Sequence, residues 1–150
     1  MLETLGEIKS AAVGLLARRE HSRAELEHKL GGRAEPDLLA AALDALEADG
    51  YLSDERFAAV YLRSKAAQGF GPMRIRADLQ RKGIGAQLWQ QSLEAGPVDW
   101  FEQARDLAAR RFGAVAREDR QLYAKRMRYL LGRGFTLDQA RYALQAGDDD

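Results

Sequence analysis

The chain has 150 residues, 46% of them hydrophobic and 31% charged, enough apolar material for one ordinary domain or a few small units sharing a core. It contains no cysteine, which excludes disulfides, thiolate metal sites and cysteine nucleophiles and fits a reducing compartment. Its 23 basic and 23 acidic side chains cancel, a balance that argues against a dedicated nucleic-acid binder.

Nearly every segment carries helical spacing. Leu2, Leu5, Ile8, Ala12, Leu15 and Leu16 recur at steps of three and four and fall on one helical face. Ser22 and Glu25 form a capping box that starts a short helix running to Leu30, where Gly31-Gly32 ends it. Pro36 suits the first turn of a third helix with Leu38, Leu39, Ala42, Leu43 and Leu46 inward, and Gly50 stops it. The same three-helix order then repeats. Ser53 caps a helix carrying acids in its first turn and Phe57 and Tyr61 one turn apart. Gly69-Phe70-Gly71-Pro72 breaks the chain, and Pro72 opens a helix with Ile75 and Leu79 inward, closed by Gly83. Leu88, Trp89 and Leu93 mark the sixth helix, before Gly96-Pro97. A third unit follows, with Trp100, Phe101, Ala104, Leu107 and Ala108, then Leu122, Tyr123, Met127, Leu130 and Leu131, then Gly134. Thr136 and Gln139 form another capping box, opening a last helix to about Ala146. No segment alternates like a strand.

The helix ends themselves recur. LQRKGIGAQLWQQSL from Leu79 matches LLGRGFTLDQARYAL from Leu130 at Leu79/Leu130, Gly83/Gly134 and Leu93/Leu144. A base precedes each glycine (Lys82, Arg133) and a large apolar residue follows it (Ile84, Phe135). The expected architecture is therefore all-α, with three tandem three-helix repeats over residues 1–50, 51–96 and 97–150, the last ending in a short acidic tail. Units this small bury little alone and should lean on their neighbours, a solenoid-like arrangement that favours a monomer.

Charge is unevenly spread. Residues 61–85 hold six bases (Arg63, Lys65, Arg74, Arg76, Arg81, Lys82) against one acid, and residues 104–135 hold nine bases against three acids. The first cluster cannot be neutralised within its own segment, so a partner-binding role is expected there. The second, with Arg110, Arg111, Lys125, Arg126, Arg128 and Arg133, is a weaker candidate of the same kind. Tyr123 and Tyr129 could stack on nucleobases, or serve as amphipathic residues at the core edge. Residues of the tail, Asp148–Asp150, are expected to be solvated.

Chemistry finds little support. Ser53-Asp54-Glu55 has a sufficient capping role at a helix start. Gly69, Gly71 and Pro72 lack the lysine and hydroxyl residue of a P-loop. The Pro72 helix could still point free N–H groups at an acidic or phosphate partner, with Arg74 and Arg76 beside them. His21 and His28 stand seven apart, whereas a metal pair on a helix prefers four and needs a third ligand. No enzyme, metal or cofactor is expected. No basic start, apolar run and cleavage site opens the chain, and no apolar stretch nears the ~18 residues of a membrane span, so a cytoplasmic protein without membrane contact is expected.

Three portions carry a resemblance. They are LLARREHSRAELEHKL (Leu15 to Leu30), GYLSDERFAAVYLRSKAAQGFGPMRIRADLQRKGI (Gly50 to Ile84) and KRMRYLLGRGFTLDQARYAL (Lys125 to Leu144). With GYLSDERF, GPMRI and KGI in this order, the chain resembles the RecX regulatory proteins of bacterial recombination, departing only in a short linker after the second unit and a brief tail. The resemblance implies tandem three-helix repeats, forming an elongated, curved molecule, that bind the RecA recombinase, chiefly as its filament on single-stranded DNA. Such proteins lodge in the filament groove and restrain ATP hydrolysis, strand exchange and co-protease activity, with no catalysis of their own. Tyr51, Ser53, Phe57, Gly71, Pro72, Gly83 and Gly134 are then structural motif residues, Tyr51, Leu52 and Phe57 sealing the contact between the first two repeats. The alternative from the residues alone is a helix-turn-helix-like protein binding DNA directly, weakly and without sequence preference.

Overall fold

The computed structural model describes residues 1–113 and 119–145. Among these it holds nine helices and no strand: α1 (Leu5–Leu16), α2 (Arg23–Leu30), α3 (Pro36–Ala48), α4 (Asp54–Ala67), α5 (Pro72–Arg81), α6 (Ala86–Ala95), α7 (Trp100–Phe112), α8 (Arg120–Gly132) and α9 (Leu137–Ala143). The all-α, three-helix-repeat expectation holds. The last helix closes at Ala143 with Leu144 at its C-cap. Ala146 and the acidic tail Asp148–Asp150 lie outside the described residues.

Local chemistry sets the boundaries. The capping boxes at Ser22/Glu25 and Thr136/Gln139 form as the spacing predicts. A third box, Thr4/Glu7, starts α1, so Leu2 lies outside the helix despite its apolar register. Instead the Leu2 N–H donates to the Arg33 carbonyl at 2.7 Å, in an isolated bridge. Ser53 Oγ accepts from the Arg56 N–H at 3.0 Å and caps α4. The ends of α3, α4, α5 and α8 share one device, a glycine at positive φ followed by a six-residue return bond. Ile84 N–H reaches the Leu79 carbonyl at 2.9 Å behind Gly83, and Phe135 N–H reaches the Leu130 carbonyl at 3.2 Å behind Gly134.

The chain forms two compact units: Met1–Tyr61 with Leu79–Ala95, and Leu62–Asp78 with the chain from Gly96 onward. In the first, Ile8, Leu26, Leu30, Leu43 and Leu46 from α1, α2 and α3 form a core that excludes water, joined by Leu52. Each such side chain, fully buried, contributes roughly 1.5–3 kcal/mol. In the second, Leu107, Ala108, Leu130, Phe135, Ala140 and Leu144 do the same, flanked by Trp100, Phe112, Tyr123 and Tyr129. Phe57 is buried as expected, but Tyr51 is not: the residue is 56% exposed. The backbone of Tyr51 holds the corner instead, its N–H on the Leu46 carbonyl and its carbonyl accepting from Arg56.

Two titratable groups in the first unit tie this fold to pH. His21 is buried, with Nδ1 3.1 Å from the Arg19 carbonyl. Burial, and after it the positive charge of Arg19, holds its pKa below the usual 6.5 despite that hydrogen bond. Glu25 is pushed up by burial, but hydrogen bonds from Lys82, the Ser22 N–H and Arg19 outweigh that and hold its carboxyl below 4.5. The unfolded chain therefore takes up protons first at both sites. Each contributes stability above its unfolded pKa that is lost as pH falls, His21 from about 6.5 down and Glu25 from about 4.5 down. Urea midpoints measured from pH 8 to 4 should decline below about pH 6.5, and His21→Gln should flatten that upper limb while leaving the lower one. An unchanged upper limb in the variant would exclude His21 as its source.

Candidate partner-binding surface

The predicted basic residues fall in both units. In the first, Lys82 is half-buried, its Nζ 3.1 Å from Glu25 and 5.7 Å from the Tyr61 ring centre. Arg81 beside it is exposed. Lys82 thus binds the previous three-helix repeat to its own. Gly83 permits the approach, because a Cβ there would stand 2.7 Å from the Ala24 Cβ.

In the second unit an aromatic ring gathers the bases. Phe70 lies in the α4–α5 turn between two glycines, and three cations face it. The Arg133 guanidinium stands 3.9 Å from the ring centre, Arg74 4.8 Å and Lys65 Nζ 5.4 Å. Arg133 also donates through Nε to the Gly69 carbonyl at 3.1 Å and through Nη2 to the Gln68 carbonyl at 2.5 Å. Phe70 is the residue that sequence reasoning passed over. Its signal, an aromatic between two helix-breaking glycines, looked like part of a turn.

The same turn is joined to the α8–α9 turn through the backbone. Gly71 N–H donates to the Arg133 carbonyl at 2.8 Å and Met73 N–H to the Gly134 carbonyl at 2.9 Å. The expectation of free N–H groups at the start of α5 is corrected here: two donors at that end are already satisfied by carbonyls about sixty residues away. An anion gains nothing from them. Pro72 fills its predicted place as the first residue of α5.

The remaining bases differ in their engagement. Arg63, Arg74, Arg76, Lys125 and Arg128 are exposed, and none of the five forms an ion pair among the described residues. Arg126 is half-buried with its guanidinium 5.0 Å from the Phe112 ring centre, and Arg111 lies 4.8 Å from that of Tyr129. Tyr129 packs edge-on against Phe112 at 5.4 Å, at the edge of the core rather than in open solvent. Residues 1–60 hold 12 acids against 7 bases, and there Arg23 engages Asp44, Glu47 and Glu27, so part of that charge is neutralised internally.

Consecutive three-helix units, with left-handed glycines just past several of their helices and arginines on their surface, define an all-α helical-repeat protein. No helix among the described residues is long and apolar enough to cross a membrane. Residues 53–93 match the family model described as RecX, second three-helix domain, and residues 98–144 the one described as RecX, third three-helix domain. The regulatory protein RecX of Halorhodospira halophila is 42% identical over 144 residues, covering 95% of this chain and 89% of that protein. That of Acidithiobacillus ferrooxidans is 45% identical over 139 residues, covering 91% and 87%. The crystal structure of RecX from Lactobacillus salivarius has the same fold, with a TM-score of 0.78 at 24% identity over 94% of each chain. The chain belongs to the RecX family of regulatory proteins.

Proposed function

We propose that this protein binds the RecA recombinase, chiefly as its filament on single-stranded DNA. Binding restrains the ATPase, strand-exchange and co-protease activities of the filament and so modulates recombination and repair. The protein acts in the cytoplasm as a monomer, by occupancy and without chemistry of its own. Membership of the RecX family carries this reading. The exposed bases Arg63, Arg74, Arg76, Lys125 and Arg128 support it, since they offer positive charge to an acidic protein surface or to phosphates within the filament.

Titrating the protein into RecA filaments on single-stranded DNA, at fixed salt, tests the reading through the ATP hydrolysis rate. Inhibition at or below one protein per recombinase is the expected result. No inhibition, with filaments confirmed by microscopy, overturns it. Reversing Arg74 and Arg76 together to glutamate should raise the concentration for half-inhibition about tenfold or more, with helicity unchanged. Unchanged inhibition removes these two bases from the contact. Direct DNA binding should be weak, independent of sequence and steeply reduced by salt.

A further inference from the structure

Three residues with exposed large apolar side chains are placed around one glycine, Gly134, by the backbone of the second unit. Met73, Leu131 and Leu137 are 60%, 40% and 46% exposed. The Gly134 carbonyl accepts from Met73 N–H, and Gly134 N–H donates to the Leu131 carbonyl. Leu137 opens α9 three residues later. Apolar groups of this size left in water at a backbone junction mark an interaction site when they cluster. Methionine among leucines also gives a surface that adapts to its partner.

Bases surround these residues. Arg76 lies one helical turn from Met73 on α5, and Arg128 one turn before Leu131 on α8. Arg74 abuts Gly134 closely enough that a Cβ on the glycine would stand 2.4 Å from its own. Its guanidinium is held over Phe70, so it is ordered before any partner arrives. The neighbouring acid, Asp138, faces Arg141 at 3.9 Å.

We infer that Met73, Leu131 and Leu137, with Arg74, Arg76 and Arg128, form a docking surface for an acidic protein segment carrying apolar side chains. The chemistry favours protein over nucleic acid. The anchors are aliphatic or thioether, whereas a strand of bases is gripped by exposed aromatic rings. The N–H groups of Gly71 and Met73, which would hold a phosphate, are already bonded to carbonyls. The inference rests on the proposed function for its partner: the acidic segment belongs to the recombinase in its filament.

The test uses the full chain, fluorescently labelled, against RecA filaments held on single-stranded DNA by a slowly hydrolysed ATP analogue, and separately against bare single-stranded DNA. The variant Met73→Ser/Leu131→Ser/Leu137→Ser should weaken filament binding about tenfold or more while leaving affinity for bare DNA within about twofold. Circular dichroism checks its fold. A second pair, Met73→Glu and Met73→Lys, changes only the most exposed anchor. Both should weaken filament binding, Glu more than Lys, because an acidic partner repels the new carboxylate. Wild-type protein that fails to bind filaments sinks the proposed function and this inference with it. Wild-type binding that the folded serine variant and the Met73 pair retain overturns the docking surface alone. Equal losses on filaments and bare DNA also overturn it and make the face a nucleic-acid contact.

Discussion

Gly134→Ala should destabilise the protein by about 3–5 kcal/mol, enough to consume much of the stability of a domain this size. Two costs coincide at that residue. Its φ is +104°, a backbone conformation costly for any L side chain. An added Cβ would also meet Arg74 at 2.4 Å from its Cβ and 2.7 Å from its amide nitrogen, so a rotamer change alone relieves nothing. Gly71→Ala should cost a similar amount by sterics alone. Its Cβ would stand 2.4 Å from both the Gly134 carbonyl carbon and the Phe135 nitrogen, which are backbone atoms. Two other glycines calibrate the result. Gly50 has φ +83° but open space around it, so alanine there should cost about 1–2 kcal/mol. Gly132 closes α8 with nothing within 4 Å, and alanine there should stabilise by roughly 0.5–1 kcal/mol. Urea denaturation of the four variants gives the order directly. If Gly134→Ala cost no more than Gly50→Ala, the α4–α5 turn could not be seated on the α8–α9 turn as described.

That junction explains why some of the molecule was legible in the sequence and some was not. Helix starts and stops are local devices. Ser22 and Glu25, Thr136 and Gln139, Pro36, Pro72, Gly83 and Gly134 each act within a few residues of themselves, so spacing revealed them. The Thr4/Glu7 box was equally local, but Leu2 continued the apolar register and drew the first helix too far toward the N-terminus. Periodicity also says which residues share a face and not how deeply they sink, which is why Tyr51 and Leu131 stand exposed beside buried neighbours. The candidate surface depends on non-local partners. The acceptors for Gly71 and Met73 and the cation closest to Phe70 come from the α8–α9 turn, about sixty residues on. No pattern near Phe70 could show that two arginines would share its ring.

The internal repeat makes a second large effect predictable, at Arg133. Lys82 and Arg133 occupy matching positions before Gly83 and Gly134, yet their partners differ. In the first unit, position three of α2 is Glu25, so a lysine suffices: one ammonium meets one carboxylate at 3.1 Å. In the second, the same position of α5 is Arg74, so no carboxylate waits there, and the base must find neutral acceptors. Arginine does this with its planar fork, giving Nε to Gly69 and Nη2 to Gln68 while its face covers Phe70. A lysine has neither the fork nor the flat face. Arg133→Lys should therefore cost about 2 kcal/mol and Arg133→Ala about 2–4 kcal/mol, by losing charge-assisted hydrogen bonds and ring contact. Lys82→Arg, which keeps a charge facing Glu25, should cost under about 1 kcal/mol. Removal of Arg133 also takes from Phe70 its nearest cation, leaving Arg74 and Lys65, so Arg133→Ala should weaken filament binding in the wake of its effect on stability. Hydrogen exchange separates the two readouts: amides of Gly71 and Met73 should lose protection before the core amides of α7 and α9. Equal stability for Arg133→Lys and wild type would mean that the carbonyls of Gln68 and Gly69 do not need a guanidinium, and the difference between the two repeats would then have no energetic basis.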